Sequence, residues 1–131
     1  MMDFMAKFSA QTYALLRIVA GFLFLWHGTQ KLFGFPGGGG GGDRPFHITY
    51  IAGPIEFFGG LLLMLGLFTR PVAFLCSGQM AFAYWMSHGT NALLPIQNRG
   101  ELAALYCFVF LFMAAQGPGI CSLDAIRQRK S

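Results

Sequence analysis

LRIVAGFLFLWHGTQKLFG, the stretch from Leu16 to Gly34, decides the fold class. It lies in an apolar segment long enough to cross a bilayer, because the hydrocarbon core is about 30 Å thick and a helix rises about 1.5 Å per residue. The same segment carries the ionisable side chains Arg17, His27 and Lys31, which are costly at bilayer depth unless they are paired or hydrated. The sequence therefore predicts a membrane helix with internal polar groups.

Three further apolar segments follow, and glycine and proline residues separate them. Charged residues make up only 11% of the 131-residue chain and hydrophobic residues 55%, whereas an average soluble domain carries about 25% charged residues. We therefore predict an all-α fold, an integral membrane four-helix bundle that runs up-down-up-down and forms a single domain over residues 1–131. The expected spans are at about 11–33, 50–68, 71–88 and 99–116, with a Gly-rich loop at 34–48 and a polar cytoplasmic tail at 117–131.

The distribution of charge predicts the orientation of the bundle and one class of partner. Lys and Arg favour the cytoplasmic side of short loops, and five of them lie on the side of both termini against three on the other side. Both termini are therefore expected in the cytoplasm. The net charge of +4 comes from cations near helix ends and in the tail, which is typical of attraction to anionic lipid and not of a nucleic-acid groove. We expect the lipid bilayer as a partner, and no nucleic acid.

Two features that look like motifs predict no specific chemistry. Cys76, Cys107 and Cys121 form neither a C-x-x-C pair nor a zinc spacing, so no metal site is expected. The glycine run at 37–42 lacks the preceding strand and the Lys with Ser or Thr that a phosphate-binding loop requires. We interpret it as a flexible linker between two membrane helices.

Ionisable residues from four segments are expected at one depth. His27 lies about 9 Å below the end of the first segment, and Glu56 about 9 Å below the start of the second, which runs in the opposite direction. Lys31 follows His27 by one turn, His88 closes the third segment and Glu101 opens the fourth. All five are therefore predicted in the part of the bundle nearest the extracytoplasmic surface.

This layer has two interpretations that the sequence leaves open. In the first, Glu56 pairs with His27 or Lys31 and only fixes the register of the helices. In the second, the layer is a polar pocket where His27 and Glu56 exchange protons, since a partner sets the proton affinity of a carboxylate or imidazole in a low dielectric. Haem ligation by His27 and His88 is not favoured, because their depths differ by several ångströms and neither lies in an attachment motif.

Two other residues of the spans have separate predicted roles. Arg17 lies about 15 Å from His27 along the same helix, and we expect its side chain to extend to the cytoplasmic headgroups. Pro54 leaves the carbonyl of Tyr50 without its helical partner, so a kink is expected at the start of the second segment, with space above Glu56.

Three stretches together resemble the DoxX family of small membrane proteins. They are the first stretch quoted above, IEFFGGLLLMLGLFTRPVAF from Ile55 to Phe74, and NRGELAALY from Asn98 to Tyr106. The resemblance covers roughly residues 11–116 and implies a four-helix protein of the bacterial inner membrane. The positions that match family motifs are Arg17, His27, Gly28, Lys31, Glu56, Gly59, Gly60, Arg70, Asn98 and Glu101.

The resemblance also implies a connection with redox enzymes. Relatives include the membrane subunit of a thiosulfate:quinone oxidoreductase and membrane partners of redox or detoxification enzymes. Our leading hypothesis is therefore a redox-associated membrane subunit, with a quinone or a partner's substrate near the polar pocket. In it, His27 and Glu56 handle protons, and the expected binding residues are Arg17, Lys31, His88, Asn98 and Glu101.

Two other functions remain open at the level of sequence. One is a non-catalytic assembly or stabilising subunit of a larger membrane complex, and the other is a lipid or small-solute binding protein. Expected protein partners are other membrane or redox subunits, or further copies of this chain. Whether the chain is itself an enzyme is left open, because it has neither a dinucleotide fingerprint nor clustered cysteines for electron transfer.

Overall fold

The computed structural model describes residues 3–37 and 45–131. These residues form helices and connecting segments without a strand, which confirms the predicted all-α fold. Residues 38–42 of the predicted glycine linker lie outside the described residues. The helices are α1 (Asp3–Ala6), α2 (Ser9–Phe33), a π-helical turn (Ile48–Ala52) that continues into α3 (Gly53–Leu65), α4 (Thr69–Ser87), α5 (Pro95–Asn98), α6 (Glu101–Gln116) and α7 (Leu123–Lys130).

The long helices present large apolar side chains to their surroundings. Phe74 is 67% exposed and Phe108 is 68% exposed. Two helical segments, Ser9–Phe33 and Ile48–Leu65, are long and apolar enough to cross a membrane, and Glu101–Gln116 is a shorter apolar helix. Contiguous apolar surface of this kind is unfavourable in water and is typical of contact with another apolar phase. The helix surfaces are therefore those of a membrane protein.

Glycine residues let α2 and α3 approach each other closely. A Cβ on Gly21 would lie 2.7 Å from the carbonyl oxygen of Gly60, and a Cβ on Gly28 would overlap the backbone of Glu56 and Phe57. Small residues at such contacts are typical of membrane helix pairs, because close packing holds helices together where lipid is as apolar as the side chains. The contact at Gly28 fixes the height of Glu56 relative to the last turns of α2.

The second helix pair is formed by α4 and α6, and α3 contacts α4. Phe24 of α2 and Phe110 of α6 are fully buried, with their rings edge-on and the centroids 4.8 Å apart. Tyr106 stacks on Phe110 at 5.4 Å. Within the second pair, the Ser77 hydroxyl donates a hydrogen bond to the Cys107 carbonyl at 2.7 Å. The core therefore lies between the two pairs, around the aromatic rings of α2 and α6.

The turn between α3 and α4 is capped by a residue from the C-terminal segment. Gly66 ends α3 with a φ of 68°, a conformation that costs glycine little because it has no Cβ. The carboxylate of Asp124 accepts hydrogen bonds from the backbone N–H groups of Phe68 and Thr69, both at 2.9 Å. The sequence predicted a helix start at Pro71. The structure starts α4 at Thr69, because a distant side chain satisfies the first free amides.

The predicted polar tail contains α7, which docks on this turn. The backbone N–H of Asp124 donates to the carbonyl of Gly66 at 2.9 Å, and the Ser122 hydroxyl caps α7 by accepting from the N–H of Ala125 at 3.2 Å. Desolvation acts to raise the pKa of Asp124, but its two backbone hydrogen bonds and the charge of Arg127 outweigh it and lower the pKa. The charged form of Asp124 therefore stabilises the docked segment.

Arg17 holds the same C-terminal segment on the bundle. Its side chain is fully buried, and its guanidinium donates hydrogen bonds to the carbonyls of Leu63 at 3.0 Å, Ile120 at 3.1 Å, Cys121 at 2.7 Å and Pro118. The expectation that Arg17 extends to the cytoplasmic headgroups is therefore wrong. Its partners are backbone carbonyls, which every residue carries, so no sequence pattern indicates them.

Candidate functional site

A buried ion pair between α2 and α3 is the centre of the site. The Nζ atom of Lys31 lies 2.6 Å from Oε1 and 2.5 Å from Oε2 of Glu56, and the side chains are 22% and 1% exposed. The close helix contact at Gly28 positions the pair, because Lys31 follows Gly28 by one turn and the backbone beneath Gly28 belongs to Glu56 and Phe57. Of the two partners for Glu56 that the sequence left open, the structure selects Lys31.

Gln79 of α4 is a third member of the site, and sequence reasoning missed it. Its Nε2 donates a hydrogen bond to Oε1 of Glu56 at 3.1 Å. Its own Oε1 is buried and has no hydrogen-bond partner in the described part of the chain. An amide in the middle of an apolar helix is the signal that could have identified it, because such groups seek partners across helices. Through Gln79, the Glu56 carboxylate links the two helix pairs.

A cavity of about 450 Å³ lies beside this group, between the α2–α3 and α4–α6 pairs. We name it the Glu56 cavity. Apolar side chains from the π-helical turn, α2, α4 and α6 form most of its wall. Its polar and ionisable lining residues are His27, Lys31, His47, Glu56, Gln79, Ser87, His88, Arg99 and Tyr106.

The π-helical turn forms one wall of the cavity and adjoins Pro54, where the sequence predicted an irregularity. Pro54 has no N–H for the carbonyl of Tyr50. The N–H of Gly53 bonds to the carbonyl of Ile48, five residues earlier, which is the spacing of a π-helix. Ile48 and Ile51 of this turn line the cavity. The wider turn therefore adjoins the space that was expected above Glu56.

His27 lines the Glu56 cavity one turn before Lys31. Its ring meets the ring of Tyr106 edge-on, with the centroids 6.1 Å apart. Among the described residues, neither ring nitrogen of His27 has a hydrogen-bond partner. His27 therefore shares a cavity with Glu56 without being bonded to it, and its imidazole remains able to donate or accept a hydrogen bond.

Ser87, His88 and Arg99, from the connection between α4 and α6 and its edges, line the cavity. We name this part of the wall the mouth, because Ser87 and Arg99 are exposed. His88 Nδ1 lies 3.0 Å from the carbonyl oxygen of Asn98. A carbonyl only accepts, so Nδ1 carries the proton and Nε2 is left for other partners. The Asn98 side chain donates to the Tyr84 hydroxyl and the Ala92 carbonyl, both at 3.1 Å, and accepts from the N–H of Gly100 at 2.8 Å. Asn98 thus shapes the mouth but does not line the cavity.

The predicted site residues divide into two groups in the structure. Glu101 is exposed in the first turn of α6 and lies outside the cavity wall. Arg17 bonds the end of α3 and the C-terminal segment, at the other end of the bundle. The described residues contain no group of three or more His, Cys, Asp or Glu side chains arranged to hold a metal ion. The structure brings His27, Lys31, Glu56 and His88 to the Glu56 cavity and leaves Arg17, Asn98 and Glu101 outside it.

This arrangement suits a mostly apolar molecule that carries a hydrogen-bonding group. Ligand sites typically combine an apolar wall with a few polar groups that orient the ligand. An ammonium group has three donors, and the Glu56 carboxylate takes two from Lys31, so one donor remains. The titratable residues of the inner wall are His27, Lys31, Glu56 and Tyr106.

Comparison with known proteins confirms the family that the sequence resembles. The DoxX family model matches residues 12–89, a range that includes His27, Lys31, Glu56 and His88. An uncharacterized protein of Haemophilus influenzae is 43% identical over 130 residues, which cover 94% of this chain and 96% of that protein. No solved structure matches the chain. The chain therefore belongs to the DoxX family of membrane proteins.

Proposed function

We propose that this protein is a redox-associated subunit of the bacterial inner membrane that binds a quinone headgroup in the Glu56 cavity. In this proposal α2, the π-helical turn with α3, α4 and α6 cross the membrane as a four-helix bundle. Both termini lie in the cytoplasm, because more Lys and Arg residues lie at that end, and the cavity lies near the periplasmic face. Family membership and the exposed apolar helix surfaces support the membrane location.

The observation that carries the proposal is a buried ion pair on the wall of an apolar cavity. A pair that only fixed helix register would not need a cavity beside it. Instead Lys31 and Glu56 adjoin about 450 Å³ of space that His27 also lines. A ligand site requires this combination of apolar wall and few polar groups.

The residues present fit a quinone in polarity and in hydrogen bonding. A quinone is a flat ring with carbonyl oxygens that accept hydrogen bonds, and when bound it supplies a two-electron, two-proton couple. Lys31 has one free N–H donor and His27 has an unbonded imidazole for those oxygens. Phe24 and Tyr106 supply aromatic surface on the cavity wall. We propose that a partner redox subunit supplies the electrons.

His27 and Glu56 handle the protons in this proposal. Glu56 holds a proton or a negative charge at its carboxylate oxygens, and Lys31 and Gln79 stabilise the charged form through their hydrogen bonds. His27 holds a proton at a ring nitrogen on the cavity wall. His88, with its proton fixed on Nδ1, offers Nε2 as an acceptor at the mouth and so connects the cavity to the outside.

Binding of a short-tailed quinone tests this function. Tritiated quinone is titrated onto the purified protein in mild detergent, with the protein captured on scintillation beads. Glu56→Gln removes the charge that orients Lys31, so we expect affinity to fall about tenfold, equivalent to about 1.4 kcal/mol. Glu101→Gln makes the same chemical change on an exposed side chain outside the cavity wall and should bind like the natural protein. Equal binding by Glu56→Gln and Glu101→Gln would remove the proposed role of Glu56.

A further inference from the structure

The wall of the Glu56 cavity contains apolar residues that are also strongly exposed. Ile51 of the π-helical turn is 54% exposed, and Phe82 and Met86 of α4 are 60% and 57% exposed. A side chain that lines a cavity and still faces the surroundings lies at an opening. Leu102 of α6, which is 50% exposed, also lines the cavity, close to the connection between α4 and α6. In the part of the chain that the structure describes, Ile51, Phe82 and Met86 mark a separate opening between the π-helical turn and α4, which we name the side portal.

The side portal arises because α3 and α4 diverge towards the cavity. Near the middle of both helices they are in tight contact, since a Cβ on Gly59 would lie 2.6 Å from Sγ of Cys76. One turn further, the hydrogen bond between Gln79 and Glu56 still joins them at 3.1 Å. Beyond that bond the cavity occupies the space between the helices, and the side portal opens from it.

In the proposed orientation the side portal extends from hydrocarbon depth at Phe82 to the end of α4 at Met86. Phe82 lies about 8 Å from the end of α4, at about 1.5 Å per residue. Phe82 and Met86 at the opening are apolar and exposed, whereas the Lys31 and Glu56 side chains of the ion pair on the cavity wall are only 22% and 1% exposed. The polarity therefore increases from the portal inward. A molecule with a polar head and an apolar tail matches this gradient.

We infer that the Glu56 cavity is loaded from the lipid through the side portal, and that its ligand is a long-chain quinone whose tail stays in the portal. This inference rests on the proposed function and names the substrate class of that site, a membrane-dissolved molecule instead of a water-soluble one. The head lies against Lys31 and His27. The tail lies between Ile51 and the stripe formed by Phe82 and Met86, and the polar mouth at His88 is left for protons and water.

A blocked portal tests the inference. Met86→Trp fills the opening with a larger side chain. Leu75→Trp is the control, because it places the same indole ring three turns earlier on the same face of α4. Leu75 is 56% exposed and lies outside the cavity wall. Two ligands are compared on the captured protein, a tritiated tailless quinone and an unlabelled competitor with two isoprene units. In Met86→Trp we expect the tailed competitor to weaken about tenfold while the tailless quinone binds normally. In Leu75→Trp neither ligand should change.

The outcomes separate this inference from the proposed function. Three results would overturn the side portal. In Met86→Trp, the tailed and tailless quinones could lose affinity equally, or the tailed quinone could lose none. Alternatively, Leu75→Trp could lose the same affinity as Met86→Trp. Failure of the natural protein to bind either ligand would instead overturn the quinone site itself. A second measurement needs no variant: a tailed quinone with a diazirine on its first isoprene unit should label residues 82–86. Labelling only at residues outside the portal would contradict the inference even if Met86→Trp does not fold.

Discussion

Gly28→Ala is the smallest change expected to disturb both the helix packing and the site. The new Cβ would lie 2.7 Å from Cα of Phe57 and 2.9 Å from the carbonyl carbon of Glu56. These are backbone atoms, so no side chain can rotate away to make room. The two helices must instead move apart at the level where Lys31 meets Glu56.

The size of the effect follows from these distances. Ordinary contact to a Cβ begins at 3.4 Å, and the backbone N of Phe57 lies nearer to the new Cβ than its Cα does, so α2 and α3 must separate by more than about 0.7 Å at this point. Overpacking of this kind costs about 1–3 kcal/mol. The same displacement stretches the 2.5 and 2.6 Å contacts between Lys31 and Glu56, so quinone affinity is expected to fall together with the free energy of unfolding.

Gly78→Ala is the matched control, because Gly78 is also a glycine in the interior of a long helix. A Cβ on Gly78 has no neighbour within 4 Å, and alanine gains about 0.5–1 kcal/mol over glycine in a helix. The free energy of unfolding of both variants is measured by denaturant titration in mixed micelles. We expect Gly28→Ala to be destabilised and Gly78→Ala to be neutral or stabilised. Similar stabilities for the two variants would refute the argument that close backbone contact at Gly28 holds α2 on α3.

Two further predictions concern the C-terminal segment. Arg17→Met removes four hydrogen bonds from a buried guanidinium, so we expect residues 118–124 to lose about 3 kcal/mol of protection against hydrogen exchange. Arg129→Met, on an exposed side chain, should leave exchange unchanged. Unaltered protection in Arg17→Met would contradict the role assigned to Arg17. Asp124 has a lowered pKa in the folded protein, so its contribution is present above its unfolded pKa of about 3.9 and is lost as the pH falls through the folded value. Asp124→Asn should therefore lower the melting temperature at pH 7, at a cost of about 1 kcal/mol. At pH 3 its melting temperature should differ less from that of the natural protein. An equal difference in melting temperature at both pH values would count against the charged cap.

The helices, and the positions of the polar residues along them, could be predicted from the sequence. Hydropathy and helix-breaking residues can be identified from the order of residues alone, and a helix rises by a constant amount per residue. The distances of His27 and Glu56 from their helix ends were therefore accessible without any contact information. The same rule accounts for the position of His88 at the mouth of the Glu56 cavity. These inferences need only the order of residues and the alternation of helix direction.

Only the tertiary structure decided which groups meet. Whether His27 or Lys31 reaches Glu56 depends on the rotation of α2 about its axis, and the backbone contact at Gly28 sets that rotation. The role of Gln79 depends in the same way on the rotation of α4.

The C-terminal segment is the clearest case of a structure that no local pattern predicts. Arg17 and its carbonyl partners at 118–121 are more than 100 positions apart, and Asp124 caps a helix that begins 55 residues earlier. A backbone carbonyl or amide has the same chemistry at every residue, so the sequence contains no mark of which ones will be used. That choice is made when the helices pack and bring these particular backbone groups within reach of a charged side chain.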